Sequence, residues 1–241
     1  MQPAYLAAVG CTQRAVHLTL ADVNTVTKPT AREQHMYWPL AGAFAFLPHL
    51  VAIFLATSRR PGFDHVKQYL SELGERGSDT ASLMNFLGIV PTGLLIAVFG
   101  AGLLKAYRNE PRLVVAGSLI VIHGIFRVAA GLFPCDLGCR PASPSISQSI
   151  HNTSAAMGYV SLTTAVFFAG AWLLARRRGA FIVTATYALG VCAAAALLML
   201  FLNVGGQLGL YQRIALLALQ LWVAFFALHF IIRLPRHPRD A

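Results

Sequence analysis

The residues best suited to chemistry are ionisable side chains that lie within or beside long apolar runs. Arg127 lies inside the third run, with His123 one helical turn before it on nearly the same face. Asp136 follows the end of that run, and His151 opens the next. A charge inside hydrocarbon is costly unless it is paired or hydrated. Arg127 therefore requires an anion or a carbonyl, and Asp136 is its predicted partner.

Further polar residues lie at the corresponding ends of the other apolar runs. They are Glu72, Asn85 and Arg213. Because short connections join the run ends, we expect all of these side chains to meet at one face of the protein. The sequence predicts a polar pocket there.

Three functions are compatible with such a pocket. The first is an ion-pair and hydrogen-bond network that fixes helix packing. The second is a site for a polar or anionic lipid headgroup, with Arg127 and Arg213 as donors. The third is an intramembrane lipid hydrolase that uses Asp136 and His151 as an acid–base pair or as metal ligands. The sequence has no HExxH motif, so no catalytic residue and no metal ligand is assigned, and membrane lipid is the expected partner.

Two histidines inside apolar runs, His49 and His123, could in principle bind haem as axial ligands. A repeated pair of histidines across the runs is missing from the sequence. Packed or hydrogen-bonded histidines are the simpler interpretation, and no cofactor is predicted.

Cys135 and Cys139 form a C-x3-C pair between the third and fourth runs. A disulfide is favoured if this loop faces an oxidising compartment. Zinc is the alternative, but it requires four ligands and the loop offers two thiols.

Composition identifies the class of protein that must position these residues. Hydrophobic residues make up 56% of the 241 residues and charged residues 12%, whereas soluble domains carry about 25% charge. Apolar runs long enough to cross a bilayer as helices occupy residues 38–57, 81–104, 113–133, 151–175, 180–203 and 209–232. We predict an all-α integral membrane bundle of six transmembrane helices. Nucleic acid is excluded as a partner because the net charge of +10 is dispersed over the ends of the runs.

Three local patterns refine this prediction. Residues 58–80 have the apolar spacing of a short amphipathic helix that would lie in the interface and end at Gly74. Gly117, Gly124 and Gly131 recur at seven-residue intervals and form one seam for close packing. Pro91 is expected to interrupt the second helix.

Lys and Arg are more numerous on the side that carries both chain termini, which predicts that these termini lie in the cytoplasm and the polar pocket outside. The expected organisation is a disordered or mis-annotated tail over residues 1–36, a membrane domain over 37–233 and a cytoplasmic tail over 234–241. The expected location is the cytoplasmic (inner) membrane. A homo-oligomer is possible, and the sequence leaves the oligomeric state open.

Five stretches in fixed order resemble the family called domain of unknown function 998, found in bacterial and archaeal membranes. They are Tyr69-Leu70-Ser71-Glu72-Leu73-Gly74, Asn85, Gly131-Leu132-Phe133-Pro134-Cys135-Asp136, His151 and Gly209-Leu210-Tyr211-Gln212-Arg213. The resemblance covers residues 38–233 and implies a six-span fold, distantly similar to the Frag1/DRAM/Sfk1 group of membrane proteins. It implies no established activity.

Overall fold

A computed structural model describes the backbone of residues 31–233 and the side chains of residues 37–233. The predictions for residues 1–30 and for the tail 234–241 lie outside the described residues. Seven α-helices account for most of the described chain, and no strand occurs within it. They are α1 Ala31–Phe44, α2 Phe46–Ser58, α3 Val90–Ala106, α4 Pro111–Leu132, α5 Ile146–Ala175, α6 Ala180–Phe201 and α7 Leu208–Ile232.

These helices make six spans that are long and apolar enough to cross a membrane, which confirms the predicted fold class. Helices α1 and α2 together form the first span, and a π-helical stretch, Leu83–Ile89, precedes α3 in the second. The observed bounds agree with the predicted ones to within a few residues. The largest difference is the start of α5, at Ile146 instead of 151.

Two prolines explain the interruptions within spans. In a continuous α-helix, the ring of Pro48 would clash with the carbonyl group of Phe44. The break between α1 and α2 falls at Ala45, the next residue. Pro91 has no N–H to donate to the carbonyl group of Leu87. The π-helical stretch lies just before Pro91, and there the N–H of Val90 donates to the carbonyl group of Asn85, five residues earlier. Pro91 therefore coincides with a change from π-helical to α-helical geometry in the second span.

Three connections lie at one face of the bundle, here called the loop face: residues 59–82, 133–145 and 202–207. The opposite face, where the described residues begin with α1 and end with α7, is here called the terminal face. The predicted amphipathic α-helix at the loop face is not confirmed, because residues 59–82 contain only a five-residue 3-10 helix, Leu70–Gly74. The Asp64 carboxylate accepts hydrogen bonds from the backbone N–H groups of Val66 and Lys67 as an N-cap does, but only a single turn follows it.

The glycine seam of α4 packs against a matching pair of glycines on α3. A Cβ added at Gly124 would lie 2.6 Å from the carbonyl oxygen of Gly93, and one added at Gly93 would lie 2.8 Å from that of Gly124. Gly100 and Gly117 approach each other in the same way. Since only glycine permits this backbone contact, the seam fixes how α3 and α4 pack.

Most of the apolar core lies toward the terminal face. Aromatic rings from four helices pack there, including Trp38, Phe99, Trp172 and Phe230. A smaller apolar cluster lies under the loop face and includes Leu70, Leu73, Met84 and Leu216. The polar side chains described below lie between the two clusters.

We expect Gly124→Ala to lower the free energy of unfolding by about 1–3 kcal/mol, as overpacking does. The added methyl group would meet backbone atoms of Gly93 and Ala97, which cannot rotate away. Unfolding by dodecyl sulfate in mixed micelles measures the effect. Gly158→Ala is the matched control, since its Cβ would meet its nearest atom at 3.4 Å. Equal losses in the two variants would contradict the seam argument.

Candidate functional site

A cavity of about 60 Å³, here called the chamber, lies beneath the loop face. Residues of α2, α4, α5, α7, the π-helical stretch and the 3-10 helix line it. Its polar lining consists of His49, Ser71, His123, Arg127, His151, Ser154, Tyr159 and Gln212. The remaining lining residues, which include Leu70, Met84 and Leu216, are apolar, so the chamber combines polar and apolar groups.

Arg127 reaches the chamber from α4 and is held by α2. Its Nη2 donates to His49 Nδ1 at 2.8 Å. Gln220 Nε2 donates to the same ring nitrogen at 3.1 Å. Because Nδ1 of His49 accepts these bonds, the proton of the neutral ring is on Nε2. His49 is thus a donor at its other nitrogen.

His123 and His151 have the opposite tautomer. His123 Nδ1 lies 2.8 Å from Gly158 O, and His151 Nδ1 lies 2.9 Å from Ala130 O and 3.1 Å from Phe133 O. Carbonyl oxygens only accept, so Nδ1 is the donor in both rings. Each neutral ring therefore keeps an unprotonated Nε2.

The prediction that Asp136 pairs with Arg127 is wrong. Asp136 Oδ1 accepts from Ser145 Oγ at 2.7 Å and Oδ2 from Ser145 N at 2.8 Å, with Arg76 Nη1 3.8 Å from Oδ1. Ser145 is the N-cap of α5. Asp136 therefore closes the 133–145 connection at the start of α5, and it does not line the chamber.

Glu72, Asn85 and Arg213 also lie outside the chamber lining. Glu72 accepts from Tyr69 N at 2.8 Å and from Gln68 Nε2 at 2.7 Å. Asn85 Nδ2 donates to Gly74 O, and Arg213 Nη1 donates to Gln68 O. These three side chains hold the 59–82 connection over the chamber.

A second, larger space of about 970 Å³, here called the groove, lies between the loop-face ends of α5 and α6. One wall carries the polar residues, including Arg140, Gln148 and Asn152, together with apolar residues of α5 such as Ala156 and Val160. The other wall belongs to α6 and is apolar, formed by Leu197, Leu198, Leu200 and Phe201. The groove adjoins the chamber, because both are lined by Ser71, His151, Ala155, Tyr159 and Gln212.

Residues 40–229 match the model of a family described as a protein of unknown function, DUF998. The chain belongs to this family. No curated protein and no solved structure matches the chain. The family description names no activity, so the site of this DUF998 member is interpreted from its own geometry.

Of the six predicted site residues, the structure brings Arg127 and His151 together at the chamber and uses the other four to support the connections above it. His49 entered the sequence argument only as a possible haem ligand, His123 also as a neighbour of Arg127 on α4, and Tyr159 did not enter it. A histidine in the middle of an apolar run is as unusual as an arginine there, which was the available signal for His49. Tyr159 gave no such signal, since tyrosine is common in membrane helices.

Cys135 and Cys139 are joined by a disulfide in the structure. Their connection is held from both sides: Arg76 N donates to Cys135 O, and Gln148 Nε2 donates to Cys139 O. Within the described residues, no group of three or more His, Cys, Asp or Glu side chains is arranged to hold a metal ion.

Hydrogen bonds from the backbone N–H and the hydroxyl of Ser145 hold the pKa of Asp136 below its usual value of 3.8. A lowered pKa in the folded state stabilises the protein above the usual value, and this contribution is lost as the pH falls through the folded pKa. We expect Asp136→Asn to lower the melting temperature near neutral pH. The difference from the wild type should shrink below about pH 4.

Thermal unfolding of both proteins in detergent, from about pH 6 to about pH 2, measures this difference. Asp79→Asn is the control, because no hydrogen bond or ion pair of the Asp79 side chain occurs among the described contacts. A constant gap between wild type and Asp136→Asn at all pH values would contradict a stabilising role of the ionised Asp136 carboxylate.

Proposed function

We propose that this protein binds an amphipathic membrane lipid, with the lipid chain against the apolar wall of the groove and the headgroup directed to the chamber. The observation that carries the proposal is the groove of about 970 Å³, which has polar residues on one wall and is apolar on the other. A ligand that matches both walls must itself be amphipathic.

The exposure of the α6 wall supports a ligand that arrives from the bilayer. Phe201 is 86% exposed and Leu198 is 52% exposed. On α5, Val160 also lines the groove and is 60% exposed. Acyl chains could therefore enter between α5 and α6 without crossing water.

The size of the groove fits this function. Pockets for small molecules and cofactors span about 300–1,000 Å³ and are mostly apolar with a few polar groups. The groove has this size and this composition, and its polar residues lie beside the opening to the chamber.

The geometry favours binding over hydrolysis. A general acid and a general base must both reach the same substrate, but His151 lines the chamber and the groove and Asp136 lines neither. Both carboxylate oxygens of Asp136 accept from Ser145, whereas His151 Nδ1 donates to the carbonyl groups of Ala130 and Phe133. The two residues predicted for a lipid hydrolase thus have separate partners.

We infer that the loop face points out of the cytoplasm and both termini into it, in the cytoplasmic membrane. Lys and Arg at the flanks of the terminal face support this orientation. They include Lys105, Arg108, Arg112, Arg176, Arg177, Arg178 and Arg233. An oxidising compartment at the loop face would also suit the disulfide.

We expect Ala156→Trp to reduce the amount of lipid that copurifies with the protein, because the indole would occupy the groove. Ala156 lines the groove and is exposed, so the larger side chain needs no change in the core. Native mass spectrometry of protein released from detergent measures bound lipid. Met157→Trp is the matched control on the next residue, which is exposed but does not line the groove. Equal lipid retention in both variants would refute the proposal.

Thiol labelling of intact cells tests the orientation and the disulfide together. In a Cys11→Ser/Cys192→Ser variant, we expect a membrane-impermeant maleimide to react only after an impermeant reductant is added. Labelling before reduction would show that the two thiols are free. No labelling after reduction, with labelling in lysed and reduced cells, would show that the loop face is cytoplasmic.

A further inference from the structure

We propose that the chamber binds the terminal phosphate of a lipid phosphomonoester, with Arg127 as the cation that pairs with it. This inference rests on the proposed lipid-binding function and adds the chemical class of the headgroup. It follows from the charge, the hydrogen-bonding groups and the size of the chamber.

The charge of Arg127 has no counter-charge among the described residues. No carboxylate there lies within 4.0 Å of its guanidinium nitrogens. Its one hydrogen bond goes to the neutral ring of His49, and Nε is buried without a partner in this part of the chain. Since an arginine remains charged in proteins, an anion in the chamber would supply the missing charge.

The other polar groups of the chamber match a phosphate that carries one proton. His49 Nε2–H and the hydroxyl groups of Ser154 and Tyr159 can donate to phosphate oxygens. The unprotonated Nε2 atom of His123 or of His151 can accept from the single P–OH group. A carboxylate has no proton for either nitrogen, so a hydrogen phosphate satisfies one acceptor more than a carboxylate does.

The size of the chamber selects a terminal phosphate. One water occupies about 10–15 Å³ on the same measure of volume, so a chamber of about 60 Å³ holds roughly the four oxygens of a phosphate group. A phosphodiester would also have to place its choline or glycerol there. The single ester oxygen of a monoester can instead leave toward the groove, past the shared lining residues Ser71 and Tyr159.

The test is a calorimetric titration of the detergent-purified full chain with three probes: dioctanoyl phosphatidic acid, dioctanoyl phosphatidylcholine and inorganic phosphate. We expect phosphatidic acid to bind at least about tenfold more tightly than phosphatidylcholine, as charge-assisted hydrogen bonds to one group allow. Arg127→Gln should remove this preference and Arg127→Lys should restore part of it. Arg178→Gln is the control, because it removes an arginine that packs on Trp172 at the terminal face.

Inorganic phosphate distinguishes the two sources of the anion. Weak binding of inorganic phosphate, with tight binding of phosphatidic acid, supports a lipid headgroup. Equally tight binding of both, abolished by Arg127→Gln, would overturn the lipid source and leave a site for free phosphate. No preference for phosphatidic acid in the wild type would overturn the phosphate inference itself.

Two further variants keep the test decisive. If Arg127→Gln does not fold, Ala155→Leu narrows the passage between chamber and groove while Arg127 stays in place. If Ala155→Leu no longer prefers phosphatidic acid over phosphatidylcholine, the inference is supported. If the variant keeps this preference, the inference is overturned. Ala156→Trp separates the two proposals: if it blocks both lipids while Arg127→Gln changes neither, lipid binding in the groove stands and the phosphate site does not.

Discussion

The polar interior of this protein depends on one constraint, the need of a buried guanidinium for partners. Arg127 lies within a membrane span, where water does not satisfy it. Its contact with His49 joins α4 to α2, and Gln220 of α7 binds the same imidazole nitrogen. One short chain of hydrogen bonds therefore connects three spans and fixes the tautomer of His49. It leaves the positive charge itself unbalanced by any described carboxylate, and the proposed phosphate site follows from that imbalance.

The apolar frame around this site is set by close backbone packing. Gly93 and Gly124 bring α3 and α4 together, which positions Arg127 and His123 on the side of α4 that faces the chamber. The connection 59–82 then covers the chamber, held by hydrogen bonds instead of an interfacial helix. Leu70 N donates to Gln212 Oε1 of α7 at 2.6 Å, so the cover is attached directly to the bundle. Glu72 contributes by capping the chain at Tyr69.

The spans could be predicted because run length and hydropathy are local properties of the chain. The glycine seam and the effect of Pro91 were accessible for the same reason, since each depends on residues within one helix. The start of α5 was not, because its first turn is polar: Ser145 caps the helix, and Gln148 Oε1 accepts from Asp136 N. Hydropathy does not register a turn of this kind.

The sequence by itself determined the membrane class, the six spans and the presence of a cationic group inside the third. Tertiary structure alone decided which side chains meet that group. Asp136 is near Arg127 in sequence but binds Ser145, the N-cap of α5, while His49 is remote in sequence and adjacent in space. The physical reason is that the need for a partner belongs to one residue, whereas the choice of partner depends on how the helices are ordered around the bundle.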